Sequence, residues 1–194
     1  MAHGFYAFVS RMKNIDRWAL MRNSYRENVQ EHSHMVSVIA HALAVIRRDE
    51  LGLEADPDKA AAAALYHDAT EIFTGDMPTP VKYQNPDIMK AYKDVEKLAS
   101  KRLLSTLPEK MRGEYEKLLT PDEPTKSLVK AADKISAYIK CVEELKAGNG
   151  EFALAAKQTK SKLEALGMPE VDYFMEKFIP AFELTLDELN YSLD

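Results

Sequence analysis

Two adjacent residues, His67 and Asp68, offer an imidazole and a carboxylate to one point in space, and His32 stands 35 positions upstream in the stretch ENVQEHS. Those residue types can share a single divalent cation. Mixed nitrogen and oxygen ligands suit Mn, Fe, Co, Ni or Zn better than Ca or Mg, which prefer all-oxygen shells. One transition metal, such as Co2+ or Mn2+, could acidify a water from pKa 15.7 towards about 7 and polarise a phosphoryl oxygen, so phosphomonoester hydrolysis is the natural reaction. Glu71 follows one helical turn after His67 and could move a proton to or from the reacting oxygens. Its other reading is a salt bridge or a brace for a ligand histidine. Taken alone, a histidine closing a helix serves a C-terminal carbonyl more often than a metal, and HD pairs also arise by chance.

Helices must position these groups. Asp56-Pro57 reads as an N-cap with proline in the first turn, opening a helix that runs to about Phe73. At about 100° per residue, Ala60, Ala64, Asp68 and Glu71 then fall within about 100° of His67, and the alanines leave room beside the backbone. Apolar or ligand-type residues recur at 32, 35/36, 39, 42/43 and 46, the face of a second helix over 31–49. On it His34 and His41 lie about 200° and 180° from His32. They are read as non-ligands, as is His3 in a mobile terminus. TGDMPTP at 74–80 is a loop, and further helices are expected at 86–105, 108–119, 124–146, 151–166 and 169–179, with a turn at 185–190. The chain reads as all-α, one domain over residues 1–194.

Composition narrows the function classes. Apolar residues make up 46% and charged ones 29% of the 194, the balance of a globular chain. No stretch approaches the roughly 18 apolar residues of a membrane span, and MAHGFYAF lacks a signal-peptide pattern. The single cysteine, Cys141, excludes an internal disulfide, so the cytoplasm is the expected compartment. The net charge of −5 argues against a nucleic-acid polymer as partner. Within 1–26, however, Arg11, Lys13, Arg17, Arg22 and Arg26 face one acid, Asp16, and such a region can attract a small anion. Arg17-Trp18 could bind phosphate through the guanidinium and wall a pocket with the indole. A surface arginine beside a core tryptophan is the plainer reading of the same pair.

Spacing cannot select a fourth ligand among 31 acidic residues. A resemblance can. His32, His67-Asp68 and the aspartate of KAADKISAYIK resemble the H…HD…D signature of HD-domain metal phosphohydrolases. RWALMRN at 17–23, ENVQEHS at 27–33, YHDATEIFTGDMPTPVKY at 66–83, KSLVKAADKISAYIKCVEEL at 126–145 and MEKFIPAF…LDEL near the end are similar to the bacterial 5'-deoxynucleotidases of that superfamily, the YfbR-like group. The resemblance implies an HD-domain helical bundle and four metal ligands, His32, His67, Asp68 and Asp133. It implies a substrate site of Arg17, Trp18, His32, Asp76, Thr79 and Asp133, with Trp18 and Glu71 as catalytic residues. It also implies a homodimer whose substrates are deoxyribonucleoside 5'-monophosphates, taken in preference to ribonucleotides. Triphosphohydrolase, phosphodiesterase and non-catalytic nucleotide-binding module stay open as alternatives. The paired-metal phosphodiesterases need histidines after the HD doublet, and this chain has none there.

Overall fold

The computed structural model describes residues 2–78, 81 and 85–191, and among these it is all-α, with one isolated bridge between Asp16 and Asn28 as its extended pairing. Helix α1 (Phe5–Val9) runs into a 3-10 turn at Ser10–Asn14. Helix α2 (Val29–Val45) opens on a capping box: the Asn28 side chain accepts from Gln30 and Glu31, and Glu31 reaches back to the Asn28 N–H. Its last turn widens to a π-turn at Ile46–Glu50. Helix α3 (Pro57–Leu65) starts as the sequence predicts, with Asp56 capping and Pro57 in the first turn. A short α4 (Glu71–Thr74) follows, then α5 (Pro86–Ser105), α6 (Glu109–Leu119) and the long α7 (Glu123–Lys146). Helices α8 (Ala153–Glu164), α9 (Pro169–Lys177) and α10 (Leu186–Tyr191) complete the described chain.

The apolar periods locate the core. Val36, Ile39, Leu43 and Ile46 of α2 and Leu128, Ala131, Ala132, Ile135 and Ile139 of α7 are buried together, with Ala60, Ala63 and Ala64 of α3 between them. Small alanines let α2, α3 and α7 approach closely, and Ser37 Oγ ties α2 to α3 by donating to the Ala61 carbonyl at 2.9 Å. A second cluster joins Phe5, Met12, Val29, Ala69, Leu103 and Leu107. Burial of Phe5 against Tyr66 and Tyr115 explains why the N-terminus carries a helix that its weak periodicity does not announce.

Two expectations are corrected. The helix expected through Phe73 stops at Leu65, and residues 66–70 form tight turns. In a continuous helix the Ala64 carbonyl would accept from the Asp68 N–H. Here it accepts from the His67 N–H at 3.3 Å and from the ring Nδ1–H of His67 at 2.7 Å. The histidine side chain competes for the helix's own carbonyl and ends it. The angular strip drawn through Asp68 and Glu71 therefore does not exist; a turn presents Asp68 and a separate helix, α4, presents Glu71. At the C-terminus, the turn expected at 185–190 is the helix α10.

Candidate metal centre

The polar groups gather at a seam between the two hydrophobic clusters. His32 lies on α2 between Val29 of one cluster and Val36 of the other, and His67-Asp68 lies between Ala64 and Ala69, divided in the same way. The ligand atoms of His32, His67 and Asp68 are all within 4.8 Å of one another. His32 Nε2 is 3.1 Å from Asp133 Oδ1 and 3.8 Å from Asp68 Oδ2, and His67 Nε2 is 3.1 Å from that same Asp68 oxygen. Three separated stretches of chain thus bring two imidazoles and two carboxylates together.

Each histidine has its outer nitrogen occupied. His32 Nδ1 is 3.1 Å from Ser136 Oγ, one turn beyond Asp133 on α7, and His67 Nδ1 donates to the Ala64 carbonyl. That bond is the carbonyl-partner reading of a helix-ending histidine, and it also turns Nε2 inward, so both readings of His67 hold at once. The buried Nε2 makes no hydrogen bond of good geometry. An inward-facing pair of Nε2 atoms beside two carboxylates fits a divalent transition metal, with outer partners that fix ring orientation. Side-chain exposure rises from 0% at His32 and 13% at His67 to 20% at Asp68 and 38% at Asp133. The cluster is a well with His32 at its floor, open on the Asp133 side.

Charge balance in the well is tight. Burial, helped by the Arg17 charge, lowers the pKa of His32 and keeps its ring neutral, the form that binds metals. Burial also opposes charge on His67, but Asp68 and Asp133 outweigh it and push that ring up to about 9. Both carboxyls are held below their ordinary values: burial works against this, and the histidines prevail. Asp76, in the loop after α4, is pushed up by burial and by Asp68 and Asp133 in spite of Arg17 and His32. Gly75, at φ 72°, supplies the left-handed residue that turns the chain out of α4 towards that loop. Glu71 heads α4, is buried, and donates its N–H to the Asp68 carbonyl at 2.9 Å. Thr79 lies outside the described residues.

Arg17 enters from the loop between α1 and α2. Its Nη1 is 3.4 Å from Asp68 Oδ2 and its Nε donates to Glu27 Oε2 at 3.2 Å. Burial disfavours the guanidinium charge, yet Asp133, Asp68, Glu27 and Asp76 raise its pKa above normal. Trp18 directs its one donor to the same Glu27 oxygen at 3.1 Å, and its ring packs on Phe152 with centroids 5.4 Å apart. The indole is thus held between Glu27 and Phe152, next in sequence to Arg17. Its backbone sits at φ 55°, a left-handed conformation costing on the order of 1–3 kcal/mol that the surroundings must enforce. His34 and His41 point away from the well: His34 is exposed, and His41 lies 3.9 Å from the exposed Asp58. Sequence reasoning missed Ser136 and Glu27 as partners. Ser136 carried a usable signal, three residues from Asp133 on one helix; Glu27 carried none.

A helical bundle with H…HD…D groups converging at a seam defines the HD-domain phosphohydrolase class. An HD-domain phosphohydrolase from Listeria innocua superimposes with a TM-score of 0.79 at 26% identity, covering 93% of this chain and 88% of that one. A cyanophage S-2L HD phosphohydrolase, solved with dA and one catalytic Zn2+ ion, shares the fold at a TM-score of 0.61 and 22% identity, over 90% of this chain and 95% of its own. Within the class, residues 4–182 match the 5'-deoxynucleotidase YfbR-like family, to which the chain belongs. The 5'-deoxynucleotidases YfbR of Shigella boydii and Escherichia coli are each 48% identical over 189 residues, 96% of this chain and 95% of theirs. The protein is an enzyme of the 5'-deoxynucleotidase kind, and no helix among its described residues is long and apolar enough to cross a membrane.

Proposed function

We propose that this enzyme, one HD-type domain over residues 1–194, hydrolyses deoxyribonucleoside 5'-monophosphates to deoxynucleoside and phosphate, rejects ribonucleotides, and uses one divalent transition metal. The reading rests on one observation, the convergence of His32, His67, Asp68 and Asp133 at a seam where both histidines turn Nε2 inward. Those four residues would hold the ion, Co2+ or Mn2+ being suitable. When bound, the ion supplies Lewis acidity towards the phosphoryl group and a more acidic water.

The chain's own groups carry the rest. Arg17 takes the substrate phosphate with the N–H groups that Glu27 leaves free and presents phosphorus to the attacking water oxygen. As the new P–O bond forms, the bond to the sugar O5' breaks, and Glu71 accepts the water proton or returns one to that oxygen. Trp18 walls the phosphate side, and the open flank at Asp133 admits the substrate beside His32. Asp76 and Thr79 meet the deoxyribose. Selectivity follows if this wall has no partner for a 2'-hydroxyl, because an unpaired buried hydroxyl costs about 1–3 kcal/mol. The enzyme works as a homodimer in the cytoplasm on free nucleotides, not on a nucleic-acid polymer.

Phosphate release from matched ribo- and deoxyribonucleoside monophosphates, run with Mn2+, Co2+ and Zn2+, tests the reading. Deoxyribonucleotides are expected to turn over at least about 10-fold faster, the scale of one unmatched polar group. Equal rates for the two sugars would sink the selectivity, and activity undiminished by chelation would sink the metal.

A further inference from the structure

We infer that Glu27 is the positioning residue that aims Arg17 at the substrate phosphate; this rests on the reading of Arg17 as the phosphate group given above. One carboxylate oxygen, Glu27 Oε2, accepts from both Arg17 Nε at 3.2 Å and Trp18 Nε1 at 3.1 Å. The same residue's carbonyl accepts the Arg17 backbone N–H at 2.9 Å, so Glu27 holds Arg17 at both ends. Its side chain is 14% exposed, so the contacts form in a partly dry setting.

A guanidinium is planar, and fixing Nε fixes the plane of its remaining N–H groups. Arg17 needs that restraint because Asp68, Asp133 and Asp76 all attract it. Released from Glu27, it would swing towards those carboxylates, 3.4 Å from the nearest oxygen already, and its fork would turn away from the phosphate. The brace is itself held. Asp16 bridges Asn28, Val29 donates to Ile15 at 3.0 Å, and Phe152 backs the Trp18 ring. Among the described residues no hydrogen bond or ion pair joins Glu27 to His32, His67 or Asp68; its side-chain bonds go to Arg17 and Trp18, and its hold on the phosphate runs through Arg17.

The test uses E27A, E27Q, R17A and the double variant, with inorganic phosphate as probe. Competitive inhibition by phosphate and the kcat and KM for a deoxyribonucleotide are read on Mn2+-loaded protein. Metal content, thermal midpoint and the emission of Trp18, the chain's one tryptophan, are read alongside. E27A is expected to weaken phosphate inhibition on the order of 10-fold, the effect of a displaced positioning group. E27Q, which keeps an acceptor oxygen but not the charge, falls between E27A and wild type. Metal content and midpoint stay at wild type in both, Trp18 emission shifts in E27A, and E27A adds no further loss once R17A is present. Wild-type phosphate affinity in E27A beside a loss in R17A overturns the inference, as do losses that multiply in the double variant. A fall of metal content or midpoint in both Glu27 variants assigns the residue to structure instead. Wild-type phosphate affinity in R17A overturns the reading of Arg17 itself.

Discussion

Two buried clusters of charge sit along α7, about two turns apart, and they differ in kind. At its C-terminal end, Lys140 and Glu144 are 2% and 0% exposed. Lys140 Nζ donates to the Tyr25 carbonyl at 2.7 Å and to Glu144, and lies over the Tyr25 ring. Glu144 accepts from the Ser24 N–H at 2.8 Å and from Asn149 Nδ2 at 2.8 Å. These charges are matched and spoken for, and they clamp the loop that carries Arg17 and Trp18 against α7. At the middle of the helix, Asp133 joins a cluster in which the buried Nε2 of His67 lacks a good hydrogen bond and each histidine has a carboxylate oxygen 3.1 Å from its Nε2. Burial exacts desolvation from both. A cluster satisfied within the protein is scaffold; one left with convergent donors is a place for a ligand.

The sharpest way to break the comparison is Asp68→Ala. It is expected to abolish turnover and to lower metal affinity by more than the roughly 10–100-fold that losing an outer partner costs, while circular dichroism stays native. Retained metal would remove Asp68 from the ligand set. Glu144→Ala inverts the pattern: a charge left alone in the interior costs about 3–5 kcal/mol, read by urea unfolding, with metal content per folded molecule unchanged. Glu144 is held down at about 2 by Lys140, Asn149 and Ser24 against its burial. Its contribution is therefore complete above the ordinary carboxylate pKa of 4.5 and lost as pH falls through about 2, and the variant should lack that acid-sensitive step.

Within the well, His67 responds to pH with the opposite sign, while Asp68 and Asp133 follow Glu144. His67, pushed up to about 9 without metal, favours the folded metal-free chain fully below its ordinary 6.5, and that support is lost as pH rises through about 9. Metal must displace the same proton, so between 6.5 and 9 uptake should release about one proton, visible with a pH indicator, and none above 9. No release at neutral pH would place His67 outside the shell. The smallest effect is expected for Ser136→Ala, which frees His32 Nδ1: metal affinity falls about 10-fold by titration, with turnover retained at saturating metal.

Much of this was legible in the residues. The stripe at 32–46 points inward as its spacing implies, because burying one face imposes the helical period on apolar positions. The cap at Asp56 starts α3 where the proline beside it allows. The end of α3 was not legible. Alanines continue to favour helix, and what stops it is a bond from the His67 ring to a carbonyl three residues back, which composition does not encode. Asp133 came from family likeness, and its neighbour Ser136 acquires meaning only when α2 lies alongside.

The chain's own order of residues therefore determined the helices, their buried faces, the chemical types of the ligand set and the family. Tertiary packing decided which carboxylate stands 3.1 Å from His32 and which glutamate steadies Arg17. Periodicity reports how a segment partitions between water and core, a local property. Convergence of His32, Asp68 and Asp133 depends on two helices and the turn after α3 meeting at a seam, and that is set by how their small and large side chains fit together.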